Sequence, residues 1–489
     1  MQRSADKEKK LFHSRIEELK DNFKFPTNTD FMVRELYISA IKKDAIVLYL
    51  DSMVNADKIE KAIIGPLLKT KQDSETELDK FIKNTLPMEK IKVYKDLKEI
   101  NGELINGNTI LIVEGIQEVF SLGTTSFAHR PVSISQNESV VKGPKESFTE
   151  SGQENRSLIR KKVRNHNLIM ETMEVGKRSI NTVSVVYLDD LANEKLVKSV
   201  KARIQHINAD MVSTIEELEQ YIEERSFSLI PTVLYTERPD RAAHFIEEGY
   251  VVVVMDNSPA CLICPATFWS FFQNPEDYYL RLPYGNFSRL VRFFAFFVGL
   301  FTPAIYISVT TFHTEMLPPD LLLAIAGSRE LVPFPVIMEI IMMEIAFEIL
   351  REAGIRIPNP IGPTIGIVGA LILGQAAVEA NIISPIIVIV IAITGLSSFA
   401  LGDVSFNYML RMARFIFTIS GAVMGFFGMI SSVIIAIAYM ASMKSFGVPY
   451  ISPIAPFYKS SKDTLYRLPI WMERLRPAFV KPKDVRRKP

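Results

Sequence analysis

What most limits the fold of this chain is where its apolar residues fall. From about residue 290 to residue 441 it is dominated by Ile, Phe, Ala, Val, Gly and Met, whereas residues 1 to about 285 are rich in Lys, Glu, Asp and Asn. Crossing ~30 Å of hydrocarbon takes about 20 apolar residues in a helix, and the second half holds several such runs. The expectation is an integral membrane protein with a water-soluble N-terminal half. Average composition hides this, since 48% hydrophobic residues is ordinary for a globular protein. A formal net charge of +1 leaves no basic footprint for nucleic acid. The start, MQRSADKEKKLF, is charged and no apolar h-region follows it. The soluble half is therefore expected to stay in the cytosol, and the 2 cysteines suit a reducing compartment.

The soluble half repeats itself. Residues 45–64 read AIVLYLDSMVNADKIEKAII and residues 183–200 read VSVVYLDDLANEKLVKSV. In each, an apolar strand ends in Tyr-Leu-Asp (Tyr49, Leu50, Asp51; Tyr187, Leu188, Asp189), a turn with Asn follows (Asn55, Asn193), and an amphipathic helix begins. Gly107 to Gly115 parallels Gly249 to Asn257 as a strand turning into a hairpin. The common offset of about 140 residues indicates duplication. This predicts two small α/β subdomains, each a mixed sheet with helices, over 30–125 and 172–280. A tail (1–29) precedes them, a polar linker (126–171) joins them, a transmembrane domain (281–443) follows, and a basic cytosolic tail (444–489) closes the chain.

No catalytic constellation is present. A P-loop, a G-x-G-x-x-G, a metal-ligand spacing and a Ser/His/Asp arrangement are all missing, so no enzyme activity, cofactor or metal is expected. His129, His166, His206 and His244 are scattered. Cys261 and Cys264, in ACLICP after VVVVMDNSP, fall on the second strand of a hairpin, where side chains three apart point to opposite faces. They read as small buried residues rather than a redox pair. The Lys142-Gly143-Pro144-Lys145 turn and the run Arg160, Lys161, Lys162, Arg164 read as a solvated linker and a charged helix end, with an anion or lipid-headgroup contact as the alternative.

Five apolar runs make up the membrane half: 290–312, 336–350, 364–380, 382–401 and 415–440. Arg281, Arg289 and Arg292 place the start of the first at the cytoplasmic face, and the basic tail after Lys444 belongs on the same side. The number of full spans is then even. The run 336–350 is short, carries Glu339, Glu344 and Glu348, and is flanked by prolines, which suits an interfacial or re-entrant position. Four spans are expected.

The run 364–380 carries a small-residue stripe, Gly362, Gly366, Ala370 and Gly374, that lets helices approach closely. Thr364, Val368, Leu371 and Gln375 fall on another face and Glu379 at the end. These five are the candidate pore-lining residues, with Val368 and Leu371 as an apolar constriction. The alternative is a stripe that packs helices within one subunit, with the glutamates at headgroup level.

Longer motifs add a family resemblance. VVKGPKESFTES, NRSLIRKKVRN, TERPD (236–240), DNSPACLICP (256–265), PEDYY (275–279), SRELVPFP (328–335) and LREAGIRIPNPIGPTIGIVGALILGQAAVEANIIS (350–384) resemble the A subunit of GerA-type spore germinant receptors. The resemblance implies a role in nutrient-triggered spore germination. It also implies a place in the spore inner membrane beside a polytopic B subunit, similar to amino-acid transporters and carrying the nutrient site, and a C-subunit lipoprotein. It further implies self-association, as a pentamer, into a channel that releases monovalent cations. A non-conducting scaffold, or an accessory paralogue associated with the dipicolinic-acid transport system, is the alternative.

Overall fold

The computed structural model describes residues 2–69, 82, 85–88, 91–126, 138, 140–356, 373–460 and 463–487. The soluble half holds two five-stranded sheets of the same plan. The first comprises β1 (Phe31–Ile38), β2 (Lys43–Leu50), β3 (Ile91–Tyr94), β4 (Thr109–Val113) and β5 (Val119–Leu122), in the order β1-β2-β4-β5-β3. The second comprises β6 (Leu168–Val175), β7 (Asn181–Leu188), β8 (Leu234–Thr236), β9 (Val251–Met255) and β10 (Cys261–Cys264), in the order β6-β7-β9-β10-β8. The two Tyr-Leu-Asp strands, β2 and β7, occupy the same position, as duplication requires. Each unit closes with the expected hairpin, β4-β5 or β9-β10. Every pairing within both sheets is antiparallel, which corrects the expectation of mixed sheets.

Alternation explains why β2 reads as an unbroken apolar run. Ala45 and Val47 face one core with Ile59, Ile63 and Leu67 of the helical stretch after β2. Ile46 and Leu48 face another, with Phe12, Ile16 and Leu19 of α1 (Gln2–Asn22) and with Ile100 and Leu104 of α2 (Leu97–Ile105). A strand covered on both faces needs apolar residues at both parities. The turn asparagines cap helices: Asn55 Oδ1 accepts from Lys58 N at 3.0 Å, and Asn193 Oδ1 from Lys195 N at 2.9 Å.

Three expected boundaries move. The segment read as an N-terminal tail is largely α1, whose apolar face supplies core. The segment read as a linker contains α3 (Gly152–Lys162) and the first residues of β6. Arg160, fully buried on α3, reaches the carboxylate of Asp30 before β1, with Nη2 at 2.7 Å and Nε at 3.1 Å from Oδ2, tying one subdomain to the other. Lys161 and Lys162 both pair with Glu146. The segment after Lys444 is folded onto the second subdomain: Lys483 N donates to the Leu191 carbonyl at 2.8 Å, and Arg487 pairs with Glu248 and Glu473. Arg476, Lys483 and Arg487 thus pair with carboxylates of this chain.

Beyond the sheets come α4 (Glu194–Gln205), α5 (Ile215–Ile222) and α6 (Pro239–Glu247) of the second subdomain. The helical bundle follows: α7 (Leu282–Thr311), α8 (Pro319–Ser328), α9 (Val336–Arg356), α10 (Pro385–Phe399) and α11 (Val404–Ser442). The run expected to stay short at 336–350 is a helix of 21 residues. It lies along the bundle, with Glu339 beside Ser384 at the start of α10 and Arg351 beside Ser398 at its end.

The run expected to be one span at 415–440 belongs to a helical hairpin. Gly425 has φ +58°, a backbone region glycine adopts without steric cost. The helix reverses there, so that Ser420 Oγ and Ser432 Oγ meet at 2.8 Å. Both ends of α11 return to the soluble half: Asp403 caps its start, and Ser445 just beyond its end donates to the Thr232 carbonyl at 2.6 Å. α7 runs parallel to the first limb. A Cβ on Gly299 would lie 3.2 Å from Leu410, and one on Gly421 would lie 3.0 Å from the Ala304 carbonyl oxygen. Close approach at small residues thus joins α7 to α11.

Candidate functional site: the charged interior of the helical bundle

Two helices in the described part are long and apolar enough to cross a bilayer, α7 and α11. Their outer faces are covered in exposed large apolar side chains, among them Phe294, Phe297, Ile416, Ile419, Phe427, Ile434 and Ile435. A surface of that extent is unstable in water and suits hydrocarbon.

Charge sits inside this apolar shell. Glu344 and Glu348 lie four residues apart on one face of α9, and Arg411 and Arg414 lie three apart on α11, so each pair projects from a single helix face. Arg414 Nε is 3.1 Å from Glu344 Oε1 in an ion pair without hydrogen-bond alignment, and both residues are buried. Arg411 Nε donates to Glu348 Oε1 at 3.0 Å, and Arg414 Nη2 reaches the same oxygen at 3.3 Å. Glu339, fully buried, accepts from Arg329 Nε at 3.1 Å and from the Ser384 backbone N–H at 2.9 Å. Glu339, Glu344 and Glu348 are therefore partners of arginines within the bundle. Pairing of this kind makes buried charge far cheaper than isolated charge.

At the end nearest the soluble half, Arg289 and Arg292 of α7 are buried on Asp277. Arg289 Nε donates to Asp277 Oδ2 at 3.2 Å, and its Nη1 pairs with Asp463 of the C-terminal segment. Arg467 Nη1 donates to the Asp277 carbonyl at 2.6 Å. These arginines sit at the expected end of the helix, but as a locked junction between the soluble half, α7 and the C-terminal segment.

Of the candidate pore and packing residues, Gln375, Glu379 and Gly374 are described; Thr364, Val368, Leu371, Gly362, Gly366 and Ala370 lie outside the described residues. Gly374 is buried against Val388, whereas Gln375 and Glu379 are exposed and joined by a 3.0 Å hydrogen bond from Gln375 Nε2. Cys261 and Cys264 are buried and unbonded on β10, and burial pushes both thiols up, which keeps them protonated and inert. No group of His, Cys, Asp and Glu among the described residues could hold a metal ion.

Residues 17–479 match the sequence profile of the family described as Bacillus/Clostridium GerA spore germination protein. The chain belongs to the GerA family. Its relatives include spore germination protein KA of Bacillus subtilis, 39% identical over 94% of this chain and 85% of that protein. Spore germination protein B1 of the same organism is 36% identical over 94% of this chain and 95% of its own length. GerLA of Bacillus cereus is 33% identical over 96% and 95%. The crystal structure of the N-terminal domain of the A subunit of the Bacillus megaterium germinant receptor GerK3 covers 52% of this chain, at 24% identity and a TM-score of 0.40.

In this GerA chain, Arg411 and Arg414 escaped the sequence reading, although a signal for them exists. Two arginines three apart in an apolar helix, and two glutamates four apart in another, form complementary faces that bury most cheaply against each other. The reversal at Gly425 left a weaker trace, because GAVMGFFG is a helix-compatible glycine pattern in an apolar segment.

Proposed function

We propose that this protein is the channel-forming A subunit of a nutrient-responsive germinant receptor, releasing monovalent cations at the start of germination. It acts in the spore inner membrane, with its N-terminal region and C-terminal segment on the core side, beside a B subunit and a C-subunit lipoprotein. Membership in a germinant-receptor A-subunit family supports the setting. The observation that supports the channel reading is the exposed Gln375–Glu379 pair beside long helices whose outer faces carry mainly apolar side chains. Polar side chains on the outside of a membrane bundle are costly against lipid and favourable against water or another copy. Self-association, as a pentamer, would turn this face toward a shared axis, with Val368 and Leu371 as the apolar constriction.

The membrane topology belongs to the same proposal. α7, α9, α10 and the two limbs of α11 each run the depth of the bundle; with the run 364–380 as a further crossing the total is six. That keeps both termini on one side.

The experiment is single-channel recording on the purified oligomer in planar bilayers. Cation-selective conductance is expected, with Val368→Ala raising the open fraction and Glu379→Gln lowering cation selectivity. An assembled oligomer with no conductance would instead make the protein a scaffold that clusters receptors through its soluble half.

A further inference from the structure

Two cavities meet where α9 and α11 leave the soluble half. The first, about 550 Å³, is polar and lies between the soluble half and the bundle; its walls include Gln273, Asn274, Arg351, Asn407 and Arg411. The second, about 670 Å³, is a groove between α9 and α11 walled by Ile345, Ile349, Met412 and Phe415. Tyr408 and Arg411 line both, so the polar pocket and the apolar groove lie side by side.

Charge in the polar pocket is unevenly satisfied. Arg241 is held by Glu138, Arg292 by Asp277 and Arg411 by Glu348. Arg351 makes no ion pair among the described residues: its Nη2 donates to Ser398 Oγ at 2.8 Å, and its guanidinium lies 4.6 Å from the centroid of the Phe399 ring. Stacking on an aromatic ring fixes the plane of the guanidinium and leaves its remaining N–H groups for a planar or tetrahedral oxyanion.

We infer that this paired cavity binds one anionic phospholipid, its phosphate on Arg351 in the polar pocket and an acyl chain in the groove between α9 and α11. The depth fits, because the pocket lies at the level where soluble residues give way to apolar helix, as headgroups do. The groove from Ala353 to Ile345 runs ~12 Å along the helix at 1.5 Å per residue, which holds the headgroup-proximal part of an acyl chain. A second copy of the chain would fill the groove but would bring no anion to Arg351, so the charge favours lipid. The inference rests on the proposed membrane placement and not on conduction, so a silent protein in bilayers leaves it standing.

The test uses the full chain purified in detergent and equilibrated with equal amounts of phosphatidylglycerol and phosphatidylcholine of identical acyl chains. Retained lipid is counted by mass spectrometry after gel filtration. Both lipids carry the same phosphodiester, so the discrimination comes from the choline cation, which Arg351 and the neighbouring arginines would repel; phosphatidylglycerol is expected to be retained about tenfold over phosphatidylcholine. Arg351→Gln should abolish the preference, Arg351→Lys should keep most of it, and Ile349→Trp should lower retention of both lipids by filling the groove. Equal retention of the two lipids, or a preference that survives Arg351→Gln, overturns the proposal. Displacement of phosphatidylglycerol by millimolar inorganic phosphate also overturns it, in favour of a free-phosphate site. If Arg351→Gln does not fold, Ile349→Trp decides alone. It leaves every charge in place, and unchanged lipid retention, with or without a change in oligomer size, rejects the lipid.

Discussion

Ser420 and Ser432 are 12 residues apart in sequence, yet their hydroxyls meet at 2.8 Å. In an unbroken helix the same residues would stand ~18 Å apart along the axis. The contact exists because the backbone reverses at Gly425, against Phe312 and His313 at the end of α7. The longest apolar helix of the chain therefore goes out and comes back.

Oxidative cross-linking reads this directly. The double variant Ser420→Cys/Ser432→Cys should form an intramolecular disulfide in membranes treated with copper phenanthroline, seen as a thiol-blocked monomer. Free thiols in the folded protein would mean a straight helix. Gly425→Ala places a Cβ 3.0 Å from the side chains of both Phe312 and His313 at a positive φ. A loss of roughly 1–3 kcal/mol is expected from the backbone conformation alone, visible as a lower melting temperature in detergent.

Topology follows from where the helix ends lie. A cysteine at Met316, beyond the far end of α7, should react with an impermeant maleimide only from the side opposite the soluble half. Cysteines at Glu352 and Gly402 should react only from the side of the soluble half. Labelling of the Glu352 position from the same side as Met316 would return α9 to an interfacial or re-entrant place and restore the four-span arrangement.

The Glu344–Arg414 pair should behave as a buried ion pair does. Glu344→Ala leaves Arg414 buried with only its 3.3 Å contact to Glu348 and should cost up to about 3 kcal/mol. The double change Glu344→Met/Arg414→Met should recover most of that loss, because it removes both charges together. A double-mutant cycle on thermal unfolding in detergent measures the coupling; additive losses would show that the contact contributes nothing.

A pH dependence is expected from His244, packed against Tyr278 and Phe245 in the second subdomain. Burial first, and the positive charge of Arg487 second, hold its imidazole down to about 4 from an ordinary 6.5. The folded protein thus binds fewer protons here than the unfolded chain between those values. The stability it contributes is present above about pH 6.5 and is lost as pH falls toward about 4. Unfolding followed by the fluorescence of the nearby Trp269 should show a melting temperature that drops across this window, with a shallower drop in His244→Gln. An identical slope in the variant would assign the acid sensitivity to other groups.

Much of the architecture was legible from residue order alone. The duplication showed in two Tyr-Leu-Asp strands at a common offset, and it held because strand propensity, the Asn caps and the hairpin turns are local signals carried by adjacent residues. The split between a soluble half and an apolar half was equally plain, since hydropathy sums over a segment and needs no partner. Family membership came from long motifs spread along the chain. Tertiary structure alone decided what the charged residues do. Glu344 became interior because Arg414, seventy residues later in the sequence, faces it across two packed helices. Arg160 became a buried clamp because Asp30 folds back to meet it. The reversal at Gly425 belongs to the same class. Apolar periodicity is the same for one long helix and for two antiparallel limbs, so only contacts with α7 and with the soluble half fix where the helix turns. Local preference is written in neighbouring residues, whereas the cost of burying a charge or bending a helix depends on partners that sequence distance does not reveal.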